Sequence, residues 1–213
     1  TGLGHYETYL FTGGSSARDG WEGSAGIDFN YGAAPDLQLT AVVPVAWNAP
    51  DEDSADSGLG NVEFAAKYKF LHQTDVGVDV AFFPRVFLPA ESSAVGEDHT
   101  SLLLPIWIGY ESGAWNTFGG GGCVINRGDD GAKDFCTVGW ALTRQVADRL
   151  QIGVEIHHES ADTKDGKPST GLGLGATYDL DDNFHVMASV GPGIQNPSET
   201  GRVSWYAALL LTF

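Results

Sequence analysis

Apolar and polar residues alternate along most of this chain with a period of two, and this pattern constrains the fold most. In the segment 62–70, for example, Val62, Phe64 and Ala66 alternate with Glu63 and Lys67. Successive side chains of a strand point to opposite faces, so such a segment predicts a strand with one apolar and one polar face. The alternation recurs from residues 21, 37 and 150. It predicts an all-β protein.

Extending the pattern along the chain predicts twelve strands, with boundaries good to about two to four residues. They are expected at residues 5–13, 21–32, 37–48, 60–71, 76–88, 101–111, 116–126, 135–146, 150–160, 169–179, 184–194 and 203–213. Short connections at 33–36, 72–75, 112–115, 147–149 and 180–183 alternate with longer ones at 14–20, 49–59, 89–100, 127–134, 161–168 and 195–202. Bacterial barrels alternate short periplasmic turns with longer outside loops. We predict a single domain, 1–213, folded as a transmembrane antiparallel up-and-down β-barrel of about twelve strands with both termini periplasmic.

A soluble β-sandwich or lipocalin-like barrel would also alternate, but other features favour a membrane. Only 18% of the residues are charged, against roughly 25% in soluble domains. No stretch approaches the 18 or more apolar residues of a membrane helix, which leaves a closed barrel as the way to span a bilayer. Aromatic residues near the predicted strand ends are typical of interfacial girdles; they are Trp21, Tyr31, Trp47, Tyr68, Tyr110, Trp115, Tyr178 and Trp205. We expect the outer membrane of a Gram-negative bacterium, with its lipid and lipopolysaccharide as partners.

Charge excludes one class of partner. The chain carries 28 acidic and 11 basic residues, a formal net charge of −17. Nucleic-acid binding depends on Lys and Arg neutralising phosphates, so nucleic acid is not expected. The acidic cluster Asp51, Glu52, Asp53 and Asp56 lacks the spacing and the glycine of a calcium loop. It is interpreted as a solvated loop that can meet divalent ions among lipopolysaccharides.

The two ends of the chain add expectations about export. Thr1 is followed by Gly2 rather than by a charged and apolar leader, so any signal peptide has been removed or is not part of this sequence. The final alternating strand runs through Trp205, Leu209 and Phe213. This ending resembles the signal by which the outer-membrane assembly machinery recognises its clients, so that machinery is an expected partner.

The polar face of the strands supplies candidate lumen residues. Twelve strands should leave a narrow lumen, because side chains just fill an eight-stranded barrel whereas sixteen strands leave an aqueous channel. The candidates that line it are Glu22, Asp28, Glu63, Lys67, Lys69, Asp79, Arg85, Glu111, Glu155 and His157. Enclosed charges must pair or stay wet, so ion pairs are expected to brace the barrel. The expected acidic partners of Lys67, Lys69 and Arg85 are Glu63, Asp79, Glu111 and Glu155. The alternative is that these residues also set which solutes or ions pass.

Three prolines stand inside predicted strands, where each removes a hydrogen-bond donor from the ladder. Pro44, Pro84 and Pro105 lie in the third, fifth and sixth strands. One hypothesis is a weakened seam that opens sideways for apolar cargo. The alternative, which we favour, is a set of ordinary bulges that bend the barrel; an unbroken ladder around Pro84 and Pro105 would exclude a lateral opening.

Cysteine and glycine positions make further local predictions. Cys123 and Cys136 flank the predicted loop 127–134 and an exported chain meets oxidising conditions, so a cross-strand disulfide is expected, with two separate thiols as the alternative. The run Gly119–Gly122 lacks the Lys and Ser/Thr of a phosphate loop and is interpreted, like Gly171, Gly173 and Gly175, as a bend or a relief of crowding.

No metal, cofactor or catalytic site is predicted. His157 and His158 are adjacent in a strand and therefore point to opposite faces, so they do not easily share an ion. A hydrolase or protease would need a serine elbow or a Ser, His and Asp set, and no such motif or placement is found. The chain is not expected to be an enzyme.

Several motifs resemble a known family. They are Ile27–Gly32, Leu37–Leu39, Gly58–Glu63 with Lys67–Phe70, Gly119–Gly122 followed by Ile125–Asn126, Gly139–Leu142 and Ser160–Thr163. These segments, spread over nearly the whole chain, resemble the outer-membrane transporters linked to the phenol meta-cleavage pathway. The resemblance implies a slender twelve-stranded barrel that takes up hydrophobic small molecules and releases them sideways through the wall. Members often carry a longer first segment that plugs the lumen; here about four residues precede the first strand, which argues against a plug.

The predicted function is therefore passive uptake of small, apolar molecules, for example aromatic ones, through a narrow lumen. Lateral release through the wall is a further hypothesis. Two alternatives remain: a structural or adhesion barrel without throughput, and a narrow pore for small hydrophilic solutes or ions. An apolar cavity in the lumen would support the first function, and a lumen closed by salt bridges would favour a structural barrel.

Overall fold

A computed structural model describes residues 1–17, 20–128 and 131–213. The described residues form fourteen strand segments and two one-turn helices. The strands are β1 (Tyr6–Ala17), β2 (Gly20–Ala34), β3 (Leu37–Pro50), β4 (Asp56–Leu59), β5 (Val62–Leu71), β6 (Asp79–Phe82), β7 (Arg85–Leu88), β8 (Ser101–Ser112), β9 (Trp115–Ile125), β10 (Phe135–Ala147), β11 (Leu150–Glu159), β12 (Ser169–Asp179), β13 (Phe184–Gln195) and β14 (Val203–Thr212). The helices are α1 (Gln73–Val76), between β5 and β6, and α2 (Pro197–Thr200), between β13 and β14.

All fourteen segments belong to one antiparallel sheet that closes on itself. Neighbours in sequence pair with each other, and β1 pairs with β14 from Glu7↔Thr212 to Ser16↔Val203. β4 and β5 both pair with β3 and form one interrupted strand. β6 and β7 both pair with β5 and β8 and form another. The predicted twelve-stranded antiparallel barrel is therefore confirmed.

Several predicted boundaries need correction. β1 extends to Ala17 and β2 begins at Gly20, so most of the predicted loop 14–20 is strand, and its residues 18–19 lie outside the described part of the chain. Small residues at Gly13, Gly14 and Ser15 hide the alternation there. β3 continues to Pro50 and β4 occupies part of the predicted loop 49–59. The predicted strand 76–88 begins only at Asp79, because the four residues of α1 fill the turn before it.

The barrel has two ends with different connections. At the turn end, residues 35–36, 113–114 and 148–149 form tight turns, α1 lies between residues 72 and 78, and residues 180–183 join β12 to β13. Both chain termini lie at this end, where Tyr6 and Phe213 exchange backbone hydrogen bonds of 2.8 and 3.0 Å. At the loop end, residues 89–100, 126–128, 131–134 and 160–168 belong to longer connections.

Burial is inverted relative to a soluble protein. Neighbouring residues in β2 illustrate it, since Phe29 is 42% exposed and Asn30 is 5% exposed. Gln38, Thr40 and Glu63 are also buried, whereas large apolar side chains cover the outer face of nearly every strand. Exposed apolar surface of this extent is incompatible with water and suits lipid.

Aromatic residues at the strand ends of the outer face fit the same location. Exposed members of the predicted girdle are Trp21, Tyr31, Tyr68, Tyr110, Trp115 and Tyr178. Neither α1 nor α2, nor any other helix of the described ranges, has the length and hydropathy needed to cross a bilayer. The closed sheet with its apolar outer face and aromatic borders is a membrane-spanning barrel.

Candidate functional site

The ten predicted lumen residues all occupy inward positions of their strands. Alternation from the buried Asn30 places Glu22 and Asp28 on the inner face of β2, and the pairing register carries the same face around the barrel. It reaches Glu63, Lys67 and Lys69 on β5 and Asp79 and Arg85 on the next strand. It continues to Glu111 on β8 and to Glu155 and His157 on β11. The lumen is the candidate functional site.

The wall formed by β2 to β7 carries a compact charged cluster. Arg85 Nε lies 2.8 Å from Glu63 Oε1, and the Glu63 side chain is only 9% exposed. The Arg85 guanidinium also lies 4.8 Å from the ring centroid of Phe83, and Lys67 Nζ lies 5.5 Å from the same ring. The Arg85 guanidinium is therefore stabilised by the Glu63 carboxylate and by the face of the Phe83 ring, and the Lys67 ammonium lies near the same ring.

A buried hydrogen-bond network continues this polar wall toward the turn end. Gln38 Nε2 donates to Asn30 Oδ1 at 2.6 Å, Thr40 Oγ1 donates to the same oxygen at 2.6 Å, and Asn30 Nδ2 donates to Asp28 Oδ1 at 2.8 Å. Lys69 Nζ lies 3.7 Å from Asp79 Oδ1. The network leaves these buried polar groups satisfied.

Not every expected ion pair forms. Glu111 Oε1 accepts a hydrogen bond of 3.2 Å from Asn116 Nδ2 instead of meeting a cation. Glu155 lies over Gly173, where a β-carbon would collide with its carboxylate. His157 lies over Gly171 in the same way. These inward glycines on β12 therefore give Glu155 and His157 room to lie flat on the wall.

The two histidines of β11 point to opposite faces. His157 lies over the inward Gly171, whereas His158 Nδ1 contacts Thr170 Oγ1 on the outer face at 2.8 Å. No group of three or more His, Cys, Asp and Glu residues suited to a metal ion occurs within residues 1–17, 20–128 and 131–213.

A mainly apolar cavity lies on the opposite wall of the lumen and opens to it. The cavity measures about 370 Å³ and lies against the inner faces of β9 to β14. Phe118, Met187 and Tyr206 supply its large side chains. Ala141 and Gly175 also line it, and their small size leaves space in the cavity. The Tyr206 ring stacks on Phe11 with centroids 6.4 Å apart, which fixes its orientation.

Sequence reasoning missed Phe118, Met187 and Tyr206 because their strands lack clean alternation. Phe118 precedes the run Gly119–Gly122, which carries no side chains to mark a face. In β14 both faces are apolar, since Tyr206, Ala208 and Leu210 point inward while Trp205 and Leu209 point outward. Only the register with β1, where Phe11 pairs with Ala208, could have assigned these faces.

The loop end of the lumen opens into a second cavity of about 710 Å³ under loop 89–100. Asn61 holds this loop, because its Nδ2 donates to the carbonyl oxygens of Leu88 and Glu97 at 3.0 and 3.1 Å and its Oδ1 accepts from Glu97 N at 2.9 Å. Glu22 lies in the same mouth, where it accepts a 3.1 Å hydrogen bond from Ser15. The mouth is therefore polar and partly covered.

The turn end of the lumen is narrowed by residues that precede β1. Leu3 pairs with Gly32, and the Thr1 nitrogen lies 3.2 Å from Gln38 Oε1. Thr1, Gly2 and Leu3 share a cavity of about 510 Å³ with Lys67 and Lys69. Even these few residues therefore fold back into the lumen, contrary to the expectation from the short first segment.

The three prolines lie at interruptions of three successive strand pairs. Pro44 faces the break between β4 and β5, where Gly60 N donates to its carbonyl oxygen at 3.0 Å. Pro84 separates β6 from β7 and accepts from Ala66 N at 3.2 Å. Pro105 accepts from Phe83 N at 3.1 Å. Each pair keeps one of its two hydrogen bonds and loses the one that proline cannot donate.

The register around these prolines separates two cases. Pairing shifts by one residue between Val42↔Glu63 and Val45↔Leu59, so Pro44 faces a bulge, as the favoured interpretation expects. The strands flanking Pro84 and Pro105 keep one register from Phe82↔Ile106 to Arg85↔Leu103, so no bulge occurs there. Pro105 is also fully buried.

The disulfide predicted between Cys123 and Cys136 is present in the structure. The two residues pair directly across β9 and β10, with their Cα atoms 3.9 Å apart. The glycines before Cys123 also have a role in packing, because a β-carbon on Gly120 or Gly122 would collide with the backbone of β8. The glycine run therefore permits close approach of strands.

Comparisons with known proteins agree with this architecture. A model of the family described as the MetA-pathway of phenol degradation matches residues 4–208. The outer membrane channel COG4313 from Pseudomonas putida F1 shares 12% identity and a TM-score of 0.81, over 100% of this chain and 97% of that chain. The CymD monoaromatic hydrocarbon channel shares 9% identity and a TM-score of 0.54, over 100% and 88%.

The translocator domain of autotransporter NalP from Neisseria meningitidis has 11% identity and a TM-score of 0.53, over 100% of this chain and 89% of that chain. No curated protein matches the chain. The structural likenesses show the fold, that of outer-membrane barrels. Because the family model spans nearly the whole sequence, the chain belongs to the family of the MetA-pathway of phenol degradation.

Proposed function

We propose that this barrel is a passive channel through which small apolar molecules, including single-ring aromatic compounds, cross the outer membrane. The observation that carries the proposal is the mainly apolar cavity against the inner faces of β9 to β14, across the lumen from the charged wall of β2 to β7. A volume of about 370 Å³ lies in the range of small-molecule sites. The related fold of CymD, a channel named for monoaromatic hydrocarbons, supports the same class of solute.

The ten charged and polar lumen residues serve two roles in this proposal. The pair Glu63–Arg85 and the pair Lys69–Asp79 brace the wall. Glu22, Glu111, Glu155 and His157 face the path, and within the part of the chain that the structure describes they form no short ion pair, so they influence which solutes pass. Asp28 and Lys67 belong to both groups. Asp28 accepts a hydrogen bond from Asn30 in the buried network, Lys67 contacts the Phe83 ring, and both side chains face the lumen.

A lateral exit remains a more specific proposal. Three missing donors lie on three successive strand pairs, at Pro44, Pro84 and Pro105, which weakens that sector of the wall relative to the rest. Burial of Pro105 and the continuous register beside it count against an opening in the state described. Crosslinking β7 to β8 through Val86→Cys and Leu102→Cys tests the exit. Release through this seam requires that the crosslink stops uptake and that reduction restores it.

The orientation of the barrel in the membrane and its partners there are proposed from the differences between the turn end and the loop end. We propose that the turn end, with both termini, faces the periplasm and that the acidic loops face lipopolysaccharide. Phe213 lies on the outer face within 5.5 Å of the Tyr6 ring and 6.3 Å of the Phe184 ring. A final strand of alternating apolar residues that ends in this aromatic cluster supports recognition by the outer-membrane assembly machinery.

The test uses liposomes with lipopolysaccharide in the outer leaflet, because that leaflet slows apolar solutes. The wild-type barrel should accelerate the entry of toluene and should not accelerate the entry of arabinose. Rapid entry of arabinose would instead establish a hydrophilic pore, which the polar mouth under loop 89–100 favours as the second candidate. Entry of neither solute would leave a structural or adhesion barrel.

A further inference from the structure

The apolar cavity has a polar border that the transport of pure hydrocarbons does not explain. Thr177 and Ser189 place hydroxyl groups on its wall, and Tyr206 adds a phenol group. Glu155 lies at the same wall, held flat over Gly173. The cavity therefore combines aromatic and thioether surface with several hydrogen-bonding groups on its wall.

We infer that this cavity is a binding site for a neutral, single-ring molecule that carries one hydrogen-bonding group such as a hydroxyl. The inference rests on the proposed function and names the solute class and the residues that recognise it. The ring packs between Phe118, Met187 and Tyr206, and its polar substituent meets Thr177, Ser189 or Glu155.

Burial and hydrogen bonding together give the preference for such a solute. A site built from apolar surface with a few polar groups holds the apolar part by burial and orients the polar part by hydrogen bonds. Sites that present hydrogen-bonding groups discriminate against analogues that leave those groups unpaired. The Glu155 carboxylate is a good acceptor for a hydroxyl proton, and it repels an anionic ring compound such as benzoate.

Glycines on β12 determine the space available. Gly173 receives the Glu155 side chain, so a larger residue there would lift that carboxylate from the wall into the cavity. Gly175 lies beside Ser189, with its position for a β-carbon 3.1 Å from the Ser189 β-carbon. These positions set the clearance over the wall of β12.

The chain contains a single methionine, and Met187 lines the cavity. Its methyl group is therefore a direct probe when methionine is labelled with ¹³C at the methyl carbon and the barrel is placed in lipid nanodiscs. Phenol, benzene and benzoate are titrated while the methyl resonance is followed. We expect a saturable ring-current shift with phenol, a weaker affinity for benzene and no saturable shift with benzoate.

Variants separate specific binding from partition into lipid. Thr177→Val removes one hydroxyl at nearly constant volume and should weaken phenol by about three- to tenfold without changing benzene. Thr137→Val is the matched control, since Thr137 faces inward on β10 away from the cavity and should not affect either compound. Met187→Leu combined with Val190→Met moves the probe to the outer face of β13, where any shift should rise linearly with concentration.

The outcomes are distinct. A shift at Met187 that rises linearly, as at position 190, overturns the binding site, and toluene uptake measured in liposomes then shows whether the channel function still stands. Equal affinity for phenol and benzene, unchanged by Thr177→Val, overturns the assignment of the polar group. Saturable binding of benzoate overturns the preference for neutral solutes.

Discussion

Glu63 and Arg85 show how single residues hold this lumen together. Both come from neighbouring strands, and their side chains meet at 2.8 Å in a part of the wall with little access to water. A charge enclosed in this way needs its partner, because solvent cannot replace it. The pair therefore stabilises the barrel chiefly by preventing an isolated charge.

Removing the cation alone should be costly. Arg85→Met should lower the free energy of unfolding by about 2–4 kcal/mol, somewhat less than a fully buried pair because Arg85 retains access to the lumen. The double variant Arg85→Met and Glu63→Leu should regain much of that loss. Urea unfolding in detergent micelles measures both, and equal stability of the single variant and the wild type would contradict the account.

His99 provides a prediction about pH at the loop end. Hydrogen bonds to Asn126 and to Asp98, with Glu97 nearby, raise the pKa of His99 above its usual value. The protonated form is thus favoured in the folded barrel, so its stabilising contribution is complete below pH 6.5 and disappears as the pH rises through the raised pKa. An NMR titration of His99 should give a value above 6.5.

The control for this titration changes the strongest contact. Asn126→Leu removes the first hydrogen-bond acceptor of His99 and should move its pKa downward toward 6.5. A wild-type value at or below 6.5, or a value that this substitution leaves unchanged, would show that the contacts do not hold the proton.

At the scale of elements, strand existence followed from sequence more readily than strand ends. Alternation marks a strand only where both faces carry distinct side chains, as in β5 with Phe64 and Lys67. It fails at Gly13 and Gly14, which extend β1 beyond its predicted end. Alternation also does not reveal the interruption between β6 and β7. That interruption arises at Pro84, which cannot donate a hydrogen bond to its neighbouring strand.

The β9–β10 hairpin should depend on its disulfide. The bond closes a segment with a sequence separation of 13 residues, and a loop of this length is expected to contribute about 3 kcal/mol. A reductant should therefore lower the unfolding midpoint of the wild type. The double variant Cys123→Ser and Cys136→Ser should unfold at the lower midpoint with or without reductant. A further decrease of its midpoint in reductant would show that the disulfide is not the cause.

Strands β8 and β9 approach each other closely, and this packing predicts which glycines tolerate substitution. A β-carbon on Gly122 would collide with the backbone at Leu104 and Pro105, whereas one on Gly109 would meet only the Phe118 β-carbon, at 3.9 Å. Gly122→Ala should destabilise the barrel by about 1–3 kcal/mol, a typical range for overpacking, and Gly109→Ala should be tolerated. Heat-modified mobility on gels compares the two, and similar behaviour would contradict the packing argument.

At the scale of the whole molecule, the lumen is asymmetric. Charges and buried amides line β2 to β7, and an apolar cavity lies against β9 to β14. Sequence alternation found the charged wall because lysine and glutamate stand out against apolar neighbours. It could not find the apolar wall, because Phe118 and Tyr206 resemble lipid-facing residues until the register of the closed barrel places them inside.

The most direct test of the central claim is toluene accumulation by Gram-negative cells that express the barrel at equal surface levels. The account predicts that the wild type accumulates toluene faster than cells without it. Ala141→Trp, which fills the cavity, should abolish that gain, whereas Val138→Trp on the outer face of the same strand should retain it. Full accumulation with Ala141→Trp would contradict passage through this lumen.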